Sequence, residues 1–163
     1  MTREDQLIRK DRMRFTKDSL SSTLVLLGIV FNALYFVSLY QSDVGNYYYT
    51  WQIGASIIYN LLFMLGAFLM SEGVKSRKSG YSIPLAAIGI MQVVRIFYLP
   101  AQAHAAVAII NGVETPVMND KQYIYMVVCL LLSAACCVAA GVMSYINCKT
   151  LADYMRSMEN QGA

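Results

Sequence analysis

Four long apolar runs separated by short polar segments set the pattern of this chain: residues 20–40, 51–70, 81–100 and 122–146. A helix needs roughly 20 apolar residues to cross the ~30 Å hydrocarbon layer of a bilayer, and each run is about that long. Three runs carry no formal charge, and the third carries only Arg95. Strands are disfavoured, because the runs lack period-2 alternation and exceed the roughly 9–11 residues of a membrane strand. A helix satisfies its own backbone groups inside lipid. The pattern therefore predicts an all-α membrane protein, a bundle of four transmembrane helices. Residues 1–18 form a basic arm, 19–146 the transmembrane domain and 147–163 a C-terminal tail. The first run is longer than the core of a signal peptide and no A-x-A site follows it, so it reads as an uncleaved anchor and first span.

The breaks between runs have local causes. Asp18 or Ser19 can cap the first helix. Gly73, Gly80 and the basic residues between them suit a tight turn, and Asp43, Gly45 and Asn46 suit another. Pro100 removes a donor and restricts Leu99, so the third run ends or kinks there. The segment 101–113 (AQAHAAVAIINGV) remains apolar. It can extend the third span past a kink, lie as a helix in the outer interface, or re-enter the membrane. Residues 111–120, with Gly112 and Pro116, read as an outer loop. No internal repeat is visible, which argues against an inverted-repeat transporter.

Charge sets the orientation. Eleven Lys and Arg residues flank the runs on one side: Arg3, Arg9, Lys10, Arg12, Arg14, Lys17, Lys75, Arg77, Lys78, Lys149 and Arg156. The other side has only Lys121. Under the positive-inside rule both termini and the middle loop face the cytoplasm, in a multi-pass protein of a plasma or inner membrane. Tyr40, Tyr47, Tyr48, Tyr49, Trp51, Tyr123 and Tyr125 then form an outer aromatic belt. Composition agrees: 57% of residues are hydrophobic and 14% charged, against about 25% charged in soluble domains.

The polar exceptions inside the runs are the candidate functional residues. Arg95 is costly to hold in lipid, by roughly 2.5–3.5 kcal/mol on insertion scales. It reads either as a ligand or ion-pair site, with Asp43, Glu114 or Asp120 as partners, or as a side chain snorkelling to the outer surface. Gln92 and Gln102 flank it on one stripe with Gly89. Gln52, Ser56, Tyr59 and Asn60 make a stripe on the second run, and Asn32 and Tyr35 share a face of the first. These groups must turn from lipid, towards a polar cavity or towards each other, with Asn32 and Asn60 the favoured pair. Ser133, Cys137, Ala140, Gly141 and Ser144 form a small-residue face on the fourth run, suited to close helix approach within the chain or between subunits.

Other features carry less. His104 has no carboxylate close in sequence and reads as an interfacial polar residue. Cys129, Cys136, Cys137 and Cys148 match no redox or zinc spacing, so they read as small apolar residues. Arg9, Lys10, Arg12 and Arg14 suit anionic lipid or a cytoplasmic partner. No nucleotide-binding, hydrolase or metalloprotease motif occurs. The residue set calls for no cofactor, no metal and no nucleic acid. It points to a non-catalytic membrane subunit, an accessory or scaffold component that packs against other membrane proteins or copies of itself. The alternative is a small solute or ion transporter or channel, with Arg95, Gln92, Asn60 and Gln52 as its site in the outer half.

Overall fold

A computed structural model describes residues 3–41, 50–110 and 113–161; the side chains of 3, 50–53, 108, 110, 113 and 161 lie outside that description. Among the described residues the protein is 87% helical and holds four helices long and apolar enough to cross a membrane. In order, the elements are α1 (Arg3–Phe15), α2 (Ser19–Tyr40), α3 (Thr50–Lys75), a 3₁₀ turn (Ser79–Tyr81), α4 (Ser82–Ile96), α5 (Leu99–Ala105), β1 (Val107–Ile110), β2 (Val113–Pro116) and α6 (Asp120–Gln161).

Side-chain pairs fix how the long helices run. Asn147 donates to Asp18 Oδ2, Ser133 to the Gly28 carbonyl and Gln122 to the Ser38 carbonyl, so α6 runs antiparallel to α2. Ser22 meets Ser71 at 2.8 Å, and Asn32 meets Asn60 at 3.3 Å, so α3 is antiparallel to α2. Ser82 meets Ser144 at 2.9 Å, which sets α4 against α6. The central helix is α6, packed along both α2 and α4, while α3 lies mainly on α2. Two apolar clusters fill the interior. One gathers Val25, Phe63, Ala67, Leu85, Cys137 and Ala140, and the other Tyr35, Leu39, Ile96, Leu99, Met126 and Leu130. Asn32 and Gln92 fall between them along α2 and α4.

Local chemistry explains the ends. Asp18 caps α2, accepting from the Ser21 amide and hydroxyl at 3.2 and 2.9 Å. It is itself buried, and its own amide donates to the Lys75 carbonyl at 2.9 Å, tying the start of α2 to the end of α3. Beyond α3 the Lys78 amide reaches the Gly73 carbonyl and the Arg77 amide reaches Val74, a Schellman cap. Arg77 takes the left-handed position at φ 53°, where glycine is usual. Gly73 serves a different need from a turn: a Cβ there would meet the Tyr81 ring at 2.5 Å.

Three expectations need correction. The break in the third run precedes Pro100. Helix α4 stops at Ile96, and Pro100 sits in the first turn of α5. Proline clashes with the carbonyl four residues earlier, here Ile96, yet fits a first turn whose amide has no helical partner. Segment 101–113 is not helical throughout: α5 ends at Ala105, and β1 pairs antiparallel with β2, Val107 opposite Pro116 and Ile110 opposite Val113. Part of the expected loop 111–120 is therefore strand. Asn-Gly between two β-branched runs is the sequence signal for such a hairpin. Finally, α6 continues past residue 146 to Gln161, because nothing from Asn147 onward is Gly or Pro until Gly162. Its 42 residues extend about 63 Å, twice a hydrocarbon layer.

The close approach of α4 and α6 gives a direct prediction. A Cβ at Gly141 would lie 2.9 Å from the Ser82 carbonyl oxygen and 3.0 Å from the Ala86 nitrogen, both backbone atoms. Gly141→Ala is expected to destabilise the protein by about 1–3 kcal/mol. Gly66→Ala, with no atom within 4 Å of the new methyl group, is expected to be neutral or stabilising by up to ~1 kcal/mol. Unfolding in detergent measures both, and equal effects would contradict the packing.

Candidate functional site

Arg95 stands one position before the end of α4, and the fold turns it inward rather than to the surface: it is 8% exposed. Its Nη1 donates to Asn60 Oδ1 at 2.8 Å and to Asn32 Oδ1 at 3.3 Å. Gln92, three residues earlier on the same helix, donates to Asn32 Oδ1 at 3.1 Å. Asn32 donates to Asn60 Oδ1, and Asn60 donates onward to the Ser56 carbonyl at 3.1 Å. Two rings enclose the cation: the guanidinium carbon lies 4.5 Å from the Tyr35 centroid and 4.8 Å from that of Tyr59. Helices α2, α3 and α4 thus each supply a polar residue and meet at one level.

Magnitudes show why this is tolerable. Each cation–π contact contributes about 0.5–2 kcal/mol, more when desolvated. Each hydrogen bond adds about 1 kcal/mol net. Together they offset an insertion cost of roughly 2.5–3.5 kcal/mol. All these partners are neutral, so the positive charge is solvated but not cancelled. Among the described residues no carboxylate is within ion-pair distance of Arg95. Asp120 is occupied with His104 at 2.9 Å, and Glu114 is exposed on β2. Asp43 lies outside the described residues.

A cleft of about 320 Å³ opens beside this charge, between Ala55, Ser56 and Tyr59 of α3 and Met91, Val94 and Arg95 of α4. Two buried polar atoms of its lining residues, Arg95 Nη2 and Ser56 Oγ, have no hydrogen-bond partner.

The structure brings together four of the five residues expected at the membrane site: Arg95, Gln92, Asn60 and Asn32. The side chain of Gln52 lies outside the description, and Gln102 is exposed on α5. The small-residue face is occupied inside the chain. Ser133 binds the Gly28 carbonyl at 2.8 Å, Cys137 abuts Gly28 and Gly89, Ala140 joins the core, Gly141 meets Ser82 and Ala86, and Ser144 meets Ser82. The basic residues of the arm lie on α1, where Arg9, Arg12 and Arg14 are exposed and Lys10 is half-buried. Arg14 pairs with Asp11 at 3.7 Å, an exposed contact of little energetic weight.

Sequence reasoning missed two features. His104 does have a carboxylate, Asp120, and stacks on Tyr123 at 4.4 Å; the hairpin between them closes a gap of sixteen residues. The buried Asp18 cluster with Asn147 and Ser21 was also missed beyond its capping role. Among the described residues no group of His, Cys, Asp and Glu is placed to hold a metal ion. No protein-family model matches the chain, and neither the curated proteins nor the solved structures compared with it give a match.

Asn32 accepts from both Gln92 and Arg95, so Asn32→Leu strands two buried donors. The expected cost is about 1–3 kcal/mol, read from unfolding in detergent. A variant as stable as the parent would show that the cluster does not hold the helices.

Proposed function

We propose that this chain is a four-span membrane protein with both termini cytoplasmic, and that it acts by binding within the membrane rather than by catalysis. The observation that carries this is the uncancelled charge of Arg95, buried beside a cleft with a donor left free. A charge in that setting calls for a counter-group, and the described part of the chain supplies none. On this reading the counter-group comes from beyond the described residues, as a ligand or as another subunit of a membrane complex, which keeps the accessory-subunit reading in play. The carrier or channel reading has less behind it, because the cleft opens beside Met91 and Val94 on the apolar flank of the bundle.

Two further features support the membrane setting. Outward side chains on α3 and α4, among them Ile58, Leu61, Leu65, Ile83 and Ile90, are more than half exposed, which suits lipid and not water. The basic residues cluster at the ends of the helices that meet near Asp18 and Lys75.

Native mass spectrometry after gentle extraction tests the binding reading. The parent protein is expected to retain a non-covalently bound species that Arg95→Gln loses. A bare monomer from the parent would refute it. Orientation is tested by epitope tags in sealed, outside-out membranes. Tags at either terminus are expected to be shielded from antibody and a tag after Ile110 to be reached; the opposite pattern would invert the topology.

A further inference from the structure

The chemistry of the Arg95 cleft narrows what fills it. Arg95 Nη1 is engaged by Asn60 and Asn32, so Nη2 is the terminal nitrogen left to donate. Ser56 Oγ is the second free group, and both are buried. One oxyanion with two acceptor oxygens would satisfy both at once and cancel the charge. The remaining wall is apolar: Ala55, Met91, Val94 and Leu99. A small hydrated anion would lose its water against that wall without recompense. An anionic head joined to a hydrocarbon chain would not.

Size and access agree. A volume of about 320 Å³ is at the lower limit for ligand sites, enough for a head and part of one chain. Met91 and Val94 are 49% and 55% exposed, so the cleft opens sideways onto the apolar flank, where an amphiphile dissolved in the bilayer would meet it. The described helix ends that flank residues 42–49, Gln41 and Thr50, are nine and ten residues from Asn32 and Asn60. At 1.5 Å per residue they stand about 14–15 Å from the Arg95 level, and the Asp43→Asn variant tests that residue as a counter-ion.

Resting on the binding reading above, we infer that the cleft is a receptor for a single-chain amphiphile with one carboxylate head, of the fatty-acid class. The carboxylate sits between Arg95 Nη2 and Ser56 Oγ, which turn from their buried positions to meet it, and the chain runs out past Met91 and Val94 into lipid.

The test uses delipidated full-length protein and radiolabelled oleate. One saturable site per chain is expected. Arg95→Gln is expected to weaken binding by more than about tenfold, since it removes one side of a buried charge pair. Ser56→Ala is expected to weaken it by roughly threefold to tenfold, the loss of one hydrogen bond. Val94→Trp fills the cleft while leaving every polar residue of the cluster unsubstituted, and is expected to abolish binding. Methyl oleate, which lacks the charge, is expected not to compete, and Asp43→Asn to change nothing. Equal competition by methyl oleate, parental affinity in Arg95→Gln, or tighter binding in Asp43→Asn would each overturn the inference. The native spectra separate the two levels. If oleate fails to bind while the parent still carries a species that Arg95→Gln loses, the fatty-acid class falls and the binding reading stands; a phospholipid or protein mass there identifies the true occupant. If the parent carries nothing, both fall.

Discussion

One buried positive charge sets the terms for the rest of this structure. Arg95 can remain inside the bundle only if neutral acceptors and aromatic faces reach it from more than one helix. That requirement fixes the axial register. Asn32 and Tyr35 must stand at its level on α2, and Tyr59 and Asn60 on α3. A one-residue slide of either helix would swing these groups about 100° away and leave the guanidinium facing methyl groups. The polar cluster is therefore a register lock as well as a site, and its position between two apolar clusters lets each of them pack without a polar interruption.

The remaining contacts follow from the same setting. In the four-span reading lipid is as apolar as a leucine side chain, so burying leucine does not drive helices together. Close backbone approach and hydrogen bonds between helices take over that task. The contacts between α6 and its neighbours are of this kind: Gly28 against Cys137, Gly89 against Ala134, Gly141 against Ser82, and hydroxyls bonding to carbonyls or to each other. Many large apolar side chains point outward as well, unlike those of a soluble bundle. Because the small face of α6 is used inside the chain, it offers little to a second subunit, and any partner must dock elsewhere.

Much of this was legible in the residues. Apolar run lengths located the four long helices within a few positions except at the end of α6, because the length a helix needs in lipid is a strong physical constraint but does not limit a helix outside it. Polar residues at helical spacing on three runs marked Asn32, Asn60, Gln92 and Arg95, because such groups must turn away from lipid whatever they bind. Three things were missed or only partly legible. The hairpin at 107–116 had one signal, Asn111-Gly112, but the apolar composition around it does not distinguish short strand from helix. The pairing of His104 with Asp120 depends on that hairpin, so nothing near His104 in the chain could reveal it. The aromatic clamp was half visible: Tyr35 and Tyr59 lay on the right faces, but a face does not say which residue of another helix it will meet.

The two ends of the bundle are built differently, and the site follows from the difference. At the end near Asp18, α2, α3, α4 and α6 are pinned by Asn147 on Asp18, Ser22 on Ser71, Ser82 on Ser144, and Tyr81 seated on Gly73. Helices α3 and α4 meet closely there. Towards Ser56 and Arg95 they part, and the cleft occupies the gap. The break that Pro100 imposes contributes directly, since it ends α4 one residue after Arg95 and brings Tyr98 and Leu99 from the following turn onto the rim of the cleft. A rigid base, a register lock above it and an open flank above that leave the charge fixed in place beside the cleft, with its free donor buried. A ligand would then ask for side-chain turns at Arg95 and Ser56 and not for movement of the helices, which is how preorganisation reduces the cost of binding.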